Sequence, residues 1–174
     1  FTGKLSYHAN QAAARVLVED LWPPIVAQVP DAELVIAGAD PPIWLIKSQR
    51  PGIRVIANPA DMTPIIEQSR VSLAPVVYSV GIQNKVLEAM ARGVPVVASE
   101  TAGEGLLPDG RDRIAIARTS TEFVTQTVRL LTKIEEAETL GLSGYEYVKT
   151  HHTWDQVAAR MESLYRIACS GIEA

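Results

Sequence analysis

The sequence predicts a single α/β domain: a Rossmann-like, doubly wound parallel sheet of about six strands, with helices on both faces and a helical C-terminus. Three observations carry that prediction. Short apolar runs alternate with helix-spaced segments along the chain, which is the pattern of repeated βαβ units. Val94-Pro95-Val96-Val97-Ala98 is apolar at every residue, as a central parallel strand buried on both faces requires. After Ser120 the spacing is helical to the end, with no further strand. A sheet of this kind binds ligands at the carboxyl ends of its strands.

Taken in order, Phe1-Thr2-Gly3 reads as the end of a short strand, and Asn10 as the cap of a helix running to about Val29. Pro23 and Pro24 predict a kink or break in that helix. Glu33 to Ala37 is a strand that stops at Gly38. A short helix is expected over 43–49, a strand over 53–56, and a helix over 62–68 capped by Asp61. The apolar run 71–76 is the next strand, followed by a loop through Gly81 and a helix from about Gln83 to Arg92 that Gly93 closes. The strand 94–98 then leads into a glycine-spaced loop (Gly103, Gly105, Gly110) and a last strand over 113–117. Three helices follow, over 122–133 with Ser120 as cap, 135–148 and 153–169.

The 174 residues fill one domain, 1–174, with 47% hydrophobic and 21% charged residues. A net charge of -4 argues against a nucleic-acid or anionic-membrane partner. One cysteine, Cys169, leaves no internal disulfide and fits a reducing, cytoplasmic compartment. No apolar run approaches the ~20 residues that span a bilayer.

The stretch from Gly81 to Ser99 carries most of the chemistry. Glycine at a strand-to-helix turn lets the backbone approach a ligand closely, and the helix N-terminus behind it presents unpaired N–H groups to a diphosphate. Lys85 sits in the first turn, where a cation is unfavourable for the helix dipole unless an anion is bound. Glu88 lies on the same side as Lys85 and Asn84, and a carboxylate there accepts two hydrogen bonds from a vicinal diol such as a ribose. The plainer reading is a surface Lys85–Glu88 pair worth about 0.2–0.5 kcal/mol. Spacing alone leaves both open.

The run Lys85-Val86-Leu87-Glu88-Ala89-Met90-Ala91-Arg92-Gly93-Val94-Pro95-Val96-Val97 resembles the signature of the group 1, glycogen-synthase-like glycosyltransferases of the GT-B fold. Phe1-Thr2-Gly3-Lys4-Leu5, Leu34-Val35-Ile36-Ala37-Gly38 and Ser72-Leu73-Ala74-Pro75 resemble that family's other strands, and Gly81-Ile82-Gln83 is similar to its bacterial exopolysaccharide branch. The resemblance implies the C-terminal donor-binding half of a two-domain enzyme, whose own N-terminal domain holds the acceptor. It implies a nucleoside-diphosphate sugar as substrate, no metal and no other cofactor. In the full-length enzyme, peripheral attachment at the inner membrane stays open. By the same resemblance Glu88 binds the ribose and the amides of Val86 and Leu87 hold the diphosphate. Lys4 contacts the phosphates, Gly3 lets its loop pack beside the donor, and Gly81, Ile82 and Gln83 line the sugar side. No residue of this half is assigned a catalytic role, and the isolated domain is expected to be inactive.

Two positions depart from the family pattern. Val80 stands where many members carry a glutamate near the transferred sugar, and Ala9-Asn10 where many carry a Lys-Gly pair. Lys85 is expected to supply the lost positive charge. Other polar residues have simpler explanations. His151 and His152 read as a helix boundary capped by Thr153 rather than as metal ligands, and Trp154 and Tyr165 as packing residues of the last helix, part of whose face the resemblance implies is exposed without the N-terminal domain. Tyr7 and His8 fall near the presumed cleft, Glu104 reads as turn chemistry, and Glu135, Glu136 and Glu138 as a solvated face. The alternative from a different class is a degenerate, non-catalytic binding or scaffold module. A receiver-like acidic cluster and a Gly-x-Gly-x-x-Gly fingerprint are both absent after the first strand.

Overall fold

The computed structural model describes residues 1–78, 81–106 and 108–170. Strand β1 (Leu34–Gly38) pairs in parallel with β2 (Ile53–Ala57), Leu34 facing Ile53 and Gly38 facing Ala57. Strands β3 (Ser72–Ala74), β4 (Val96–Ser99) and β5 (Ala115–Ala117) form a second parallel set with β4 in the middle. The expected opening strand shrinks to a bridge. Thr2 pairs with Ala37, whose N–H donates to the Phe1 carbonyl at 3.0 Å while its own carbonyl accepts from Gly3 at 3.2 Å.

Strand pleating divides the core into two. Leu34, Ile36, Leu73, Val97, Ala115 and Ala117 face one apolar cluster, with Leu17, Leu21, Ile25 and Leu130 from the helices. Ala74, Val96 and Ala98 face the other, with Val86, Ala89, Met90 and Tyr147. Alternate residues of β4 therefore bury against opposite helix layers, which is the doubly wound arrangement.

The first helical segment is α1 (His8–Val16), a π-helical turn (Leu17–Leu21) and α2 (Trp22–Gln28) in succession. The widened turn, in which the Trp22 N–H reaches the Leu17 carbonyl, absorbs the disruption. Pro23 and Pro24 then fall in the first turn of α2, where missing N–H groups cost least. One sequence expectation fails here. The helix starts at His8, so Asn10 lies inside the first turn and does not cap it.

Short helices α3 (Ile43–Lys47) and α4 (Thr63–Glu67) follow β1 and β2. The cap of α4 is Met62 rather than the expected Asp61, whose carboxylate accepts the Thr63 N–H at 2.8 Å from one residue earlier. Helix α5 is Asn84–Met90. The glycine-spaced loop contains two helical turns, α6 (Glu100–Gly103) and α7 (Pro108–Arg111). Ser99 starts the first of them by accepting the Ala102 N–H.

Helix α8 (Ser120–Thr132) is capped by Thr119, one residue before the expected Ser120, because its hydroxyl accepts the Glu122 N–H at 3.1 Å. Helices α9 (Ile134–His151) and α10 (Trp154–Ser170) meet at His152, and Thr153 accepts the Gln156 N–H as expected. Trp154 and Tyr165 do not pack as expected; they are 88% and 64% exposed. Helix α10 finds no core to cover its apolar side among the described residues.

Candidate functional site

A cleft of about 550 Å³ opens at the carboxyl ends of the strands. Gly38 and Ala39 end β1, Asn58 and Pro59 follow β2, and Gly3 and Lys4 follow the Thr2 bridge. The far wall is Ile82 to Lys85 with Glu88, the approach to α5 and its first turns. Another cavity of about 550 Å³ lies at the opposite ends of the strands, beside Glu33, Arg54 and Arg70. Parallel sheets place their ligands at the carboxyl edge, so the first cleft is the candidate site.

Close backbone approaches set the shape of that edge. A Cβ on Gly38 would lie 1.7 Å from the Gly3 carbonyl oxygen, so no larger residue fits there. A Cβ on Gly3 would meet the Asn10 side-chain amide at 2.8 Å. On the next wall, the Asp40 N–H donates to Asn58 Oδ1 and the Asn58 N–H to the Gly38 carbonyl, both at 2.9 Å. Asp40 and Asn58 both adopt positive φ, which short side chains that can bond locally tolerate best.

Lys85 is the unusual side chain of the site. It is 9% exposed although it sits in the first turn of a helix facing a cleft. Its ammonium donates to Asn10 Oδ1 and lies 4.3 Å from the centre of the Phe1 ring. Among the described residues no carboxylate forms a salt bridge with it. Burial pushes its pKa down to about 8, against an upward pull from Glu88. A buried cation with no salt-bridge partner among the described residues, at the wall of a cleft, favours an anion in that cleft. Lys4 stands exposed on the same cleft, and Glu88 is exposed a turn further along α5. The Glu88 carbonyl accepts from Arg92, which also donates to Thr63 and so ties α5 to α4.

Of the residues assigned from the sequence, Gly3, Lys4, Ile82, Gln83, Lys85 and Glu88 line this cleft together. Gly81, Val86 and Leu87 do not. Gly81 packs against Gly105, where a Cβ would come 2.5 Å from the Gly81 carbonyl oxygen. The Val86 and Leu87 N–H groups both donate to the Gln83 carbonyl, at 2.9 and 3.3 Å, so they are not offered to a ligand. Among the described residues, the amides of Asn84 and Lys85 at this helix start find no acceptor. Val86 and Leu87 are the third and fourth residues past the Gln83 cap, where the helix closes its first backbone bonds, so the free amides lie nearer its start. Val80 lies outside the described residues.

Sequence reasoning overlooked Asn10, Asn58 and Met62 as cleft residues. An Asn-Pro pair directly after a strand was the available signal for Asn58.

The family profile described as "Glycosyl transferases group 1" matches residues 1–133. The chain belongs to the group 1 glycosyl transferases. No curated protein sequence matches it. Among solved structures, TarM superposes with a TM-score of 0.78 at 12% identity, over 95% of this chain and 34% of TarM. The C-terminal domain of a glycosyl transferase group 1 family protein, LpcC from Francisella tularensis, gives a TM-score of 0.62 at 17% identity, over 81% of each chain. An Escherichia coli trehalose-6-phosphate protein, bound with UDP-2-fluoro glucose, gives 0.71 at 13% identity, over 94% of this chain and 42% of that one. The group 1 domain therefore spans about a third of TarM's length, 34%. At these identities the structural likeness establishes the GT-B-type fold. Helices α9 and α10 lie beyond the matched 133 residues, yet α9 is integral to the domain. A Cβ on its Gly141 would lie 2.1 Å from the Gly93 carbonyl, at the end of α5.

Proposed function

We propose that this chain is the donor-binding domain of a glycosyltransferase, and that its carboxyl-edge cleft holds a nucleoside-diphosphate sugar. The observation that carries the reading is Lys85, a buried ammonium at the cleft wall that forms no salt bridge among the described residues. The diphosphate lies between Lys4, Lys85 and the free amides of Asn84 and Lys85. Glu88 takes the ribose hydroxyls, and Gly3, Ile82 and Gln83 border the rest of the donor. The UDP sugar analogue held by the Escherichia coli protein of like fold supports this choice of ligand.

Transfer breaks the bond between the sugar's anomeric carbon and the diphosphate oxygen, and charge accumulates on the departing diphosphate. Two lysines and backbone amides already aimed at that position stabilise it without reorganisation, and without a metal. The acceptor, a glycan or lipid-linked sugar of bacterial polysaccharide synthesis, comes from the enzyme's own N-terminal domain. That domain covers the exposed apolar side of α10, and the isolated chain transfers nothing. The whole enzyme works in the cytoplasm.

Calorimetric titration with UDP, GDP and their sugar conjugates tests the reading. One nucleotide binds, and Glu88→Ala weakens it by the ~1.5–3 kcal/mol typical of a charged hydrogen-bonding site. An absence of binding at millimolar concentration, in this chain and in the full-length protein, favours a non-catalytic scaffold.

A further inference from the structure

Asn10 occupies the place where many group 1 members carry the glycine of a Lys-Gly pair, and it is not the helix cap its position suggested. Its side chain works across the site. The amide Nδ2 donates to the Lys4 carbonyl at 2.9 Å, and Oδ1 accepts from the Lys85 ammonium. Chemistry fixes this orientation, since a carbonyl only accepts and an ammonium only donates. The amide also lies flush on Gly3, where a Cβ would come within 2.8 Å of it. One neutral side chain from α1 therefore joins the Gly3-Lys4 loop to the first turn of α5, 75 residues away.

We propose that Asn10 is a positioning residue for diphosphate recognition: its side-chain amide ties the Lys4 backbone to the Lys85 ammonium and holds both lysines on one ligand. The proposal rests on the donor-site reading above. A neutral amide is suited to the task where a carboxylate is not. It accepts from the ammonium without cancelling its charge, leaving that charge for the ligand. Asp at this position would neutralise Lys85 and oppose the Lys4 carbonyl. Ala would free the Lys4 backbone and the Lys85 side chain, and the freedom they regain is entropy the ligand must remove on binding. Burial lowers the Lys85 pKa to about 8, so the clamp can be read directly from the titration of that side chain.

The experiment combines two readouts on wild type, Asn10→Ala and Asn10→Asp. Lysine side-chain NMR follows the Lys85 titration without ligand, and calorimetry at pH 6.5 and 9 measures affinity for inorganic pyrophosphate, UDP and GDP. In Asn10→Ala the Lys85 midpoint falls, because the charged form loses an acceptor, and diphosphate affinity drops roughly tenfold. In Asn10→Asp the midpoint rises and affinity drops further. The aspartate variant decides the matter if the alanine variant does not fold. Unchanged affinity and an unchanged Lys85 midpoint in a folded variant overturn the proposal while leaving the donor site standing. If wild type binds none of the three probes, the donor-site reading fails and takes the proposal with it.

Discussion

Helices α5 and α10 are both legible in the sequence by spacing and caps, yet they live in opposite surroundings. Helix α5 has only seven residues, too few to be stable alone, and is held by burial of Val86, Ala89 and Met90 in the second core. Helix α10 has 17 residues and leaves Trp154, Met161, Leu164 and Ile167 exposed along its length. Apolar spacing marks a helix's sticky side in both cases. Whether a partner covers that side is a tertiary fact, and the sequence is silent on it. The short helix is the buried one, and its first turns line the carboxyl-edge cleft.

Methionines on the two helices expose the contrast most sharply. Met90 is 1% exposed, so Met90→Ala should cost about 2–5 kcal/mol of unfolding free energy. Met161 is 49% exposed, and Met161→Ala should change stability by about 0.5 kcal/mol or less. Denaturant melts of the two variants measure this, and comparable losses would mean that α10 is packed in solution.

Next in size is the pH dependence set by Lys85. Its folded pKa is about 8 against 10.5 unfolded, so between those values the unfolded chain binds the extra proton. Stability therefore rises with pH across that window, by on the order of 3 kcal/mol, and the penalty is full below it. Lys85→Met should flatten this rise in denaturant melts at pH 7.5 and 10.5. Diphosphate affinity should move the other way, falling as pH climbs through about 8.

Gly105→Ala is expected to act more locally. The added methyl meets Gly81 backbone at 2.5 Å, so the loop leading to α5 must shift, at about 1–3 kcal/mol. Nucleotide affinity should fall while α10 is untouched, which binding and near-UV circular dichroism together would show. An unchanged affinity would detach the Gly81 loop from the donor site.

The alternation of strand and helix and the central β4 were legible because periodicity and an all-apolar run report burial directly. Glu88, Lys85, Lys4 and Gly3 were legible because a local motif places them. Asn10 was misread because a helix-start asparagine looks like a cap, and its true partner on α5 is remote in sequence. The two helical turns after β4 were missed because glycine spacing hides a Ser99 cap. Val86 and Leu87 were assigned as ligand donors, but they lie a full turn past the Gln83 cap, and the helix's own first bonds take their amides. Helix boundaries are the weakest part of any reading from pattern.

The central claim is that the carboxyl-edge cleft, and not the cavity at the other end of the sheet, takes a nucleoside diphosphate. Backbone and side-chain NMR shift mapping with UDP and GDP tests it most directly. The account predicts the largest changes at Lys4, Asn84, Lys85 and Glu88, saturating with ligand. Changes concentrated around Glu33, Arg54 and Arg70 would contradict it.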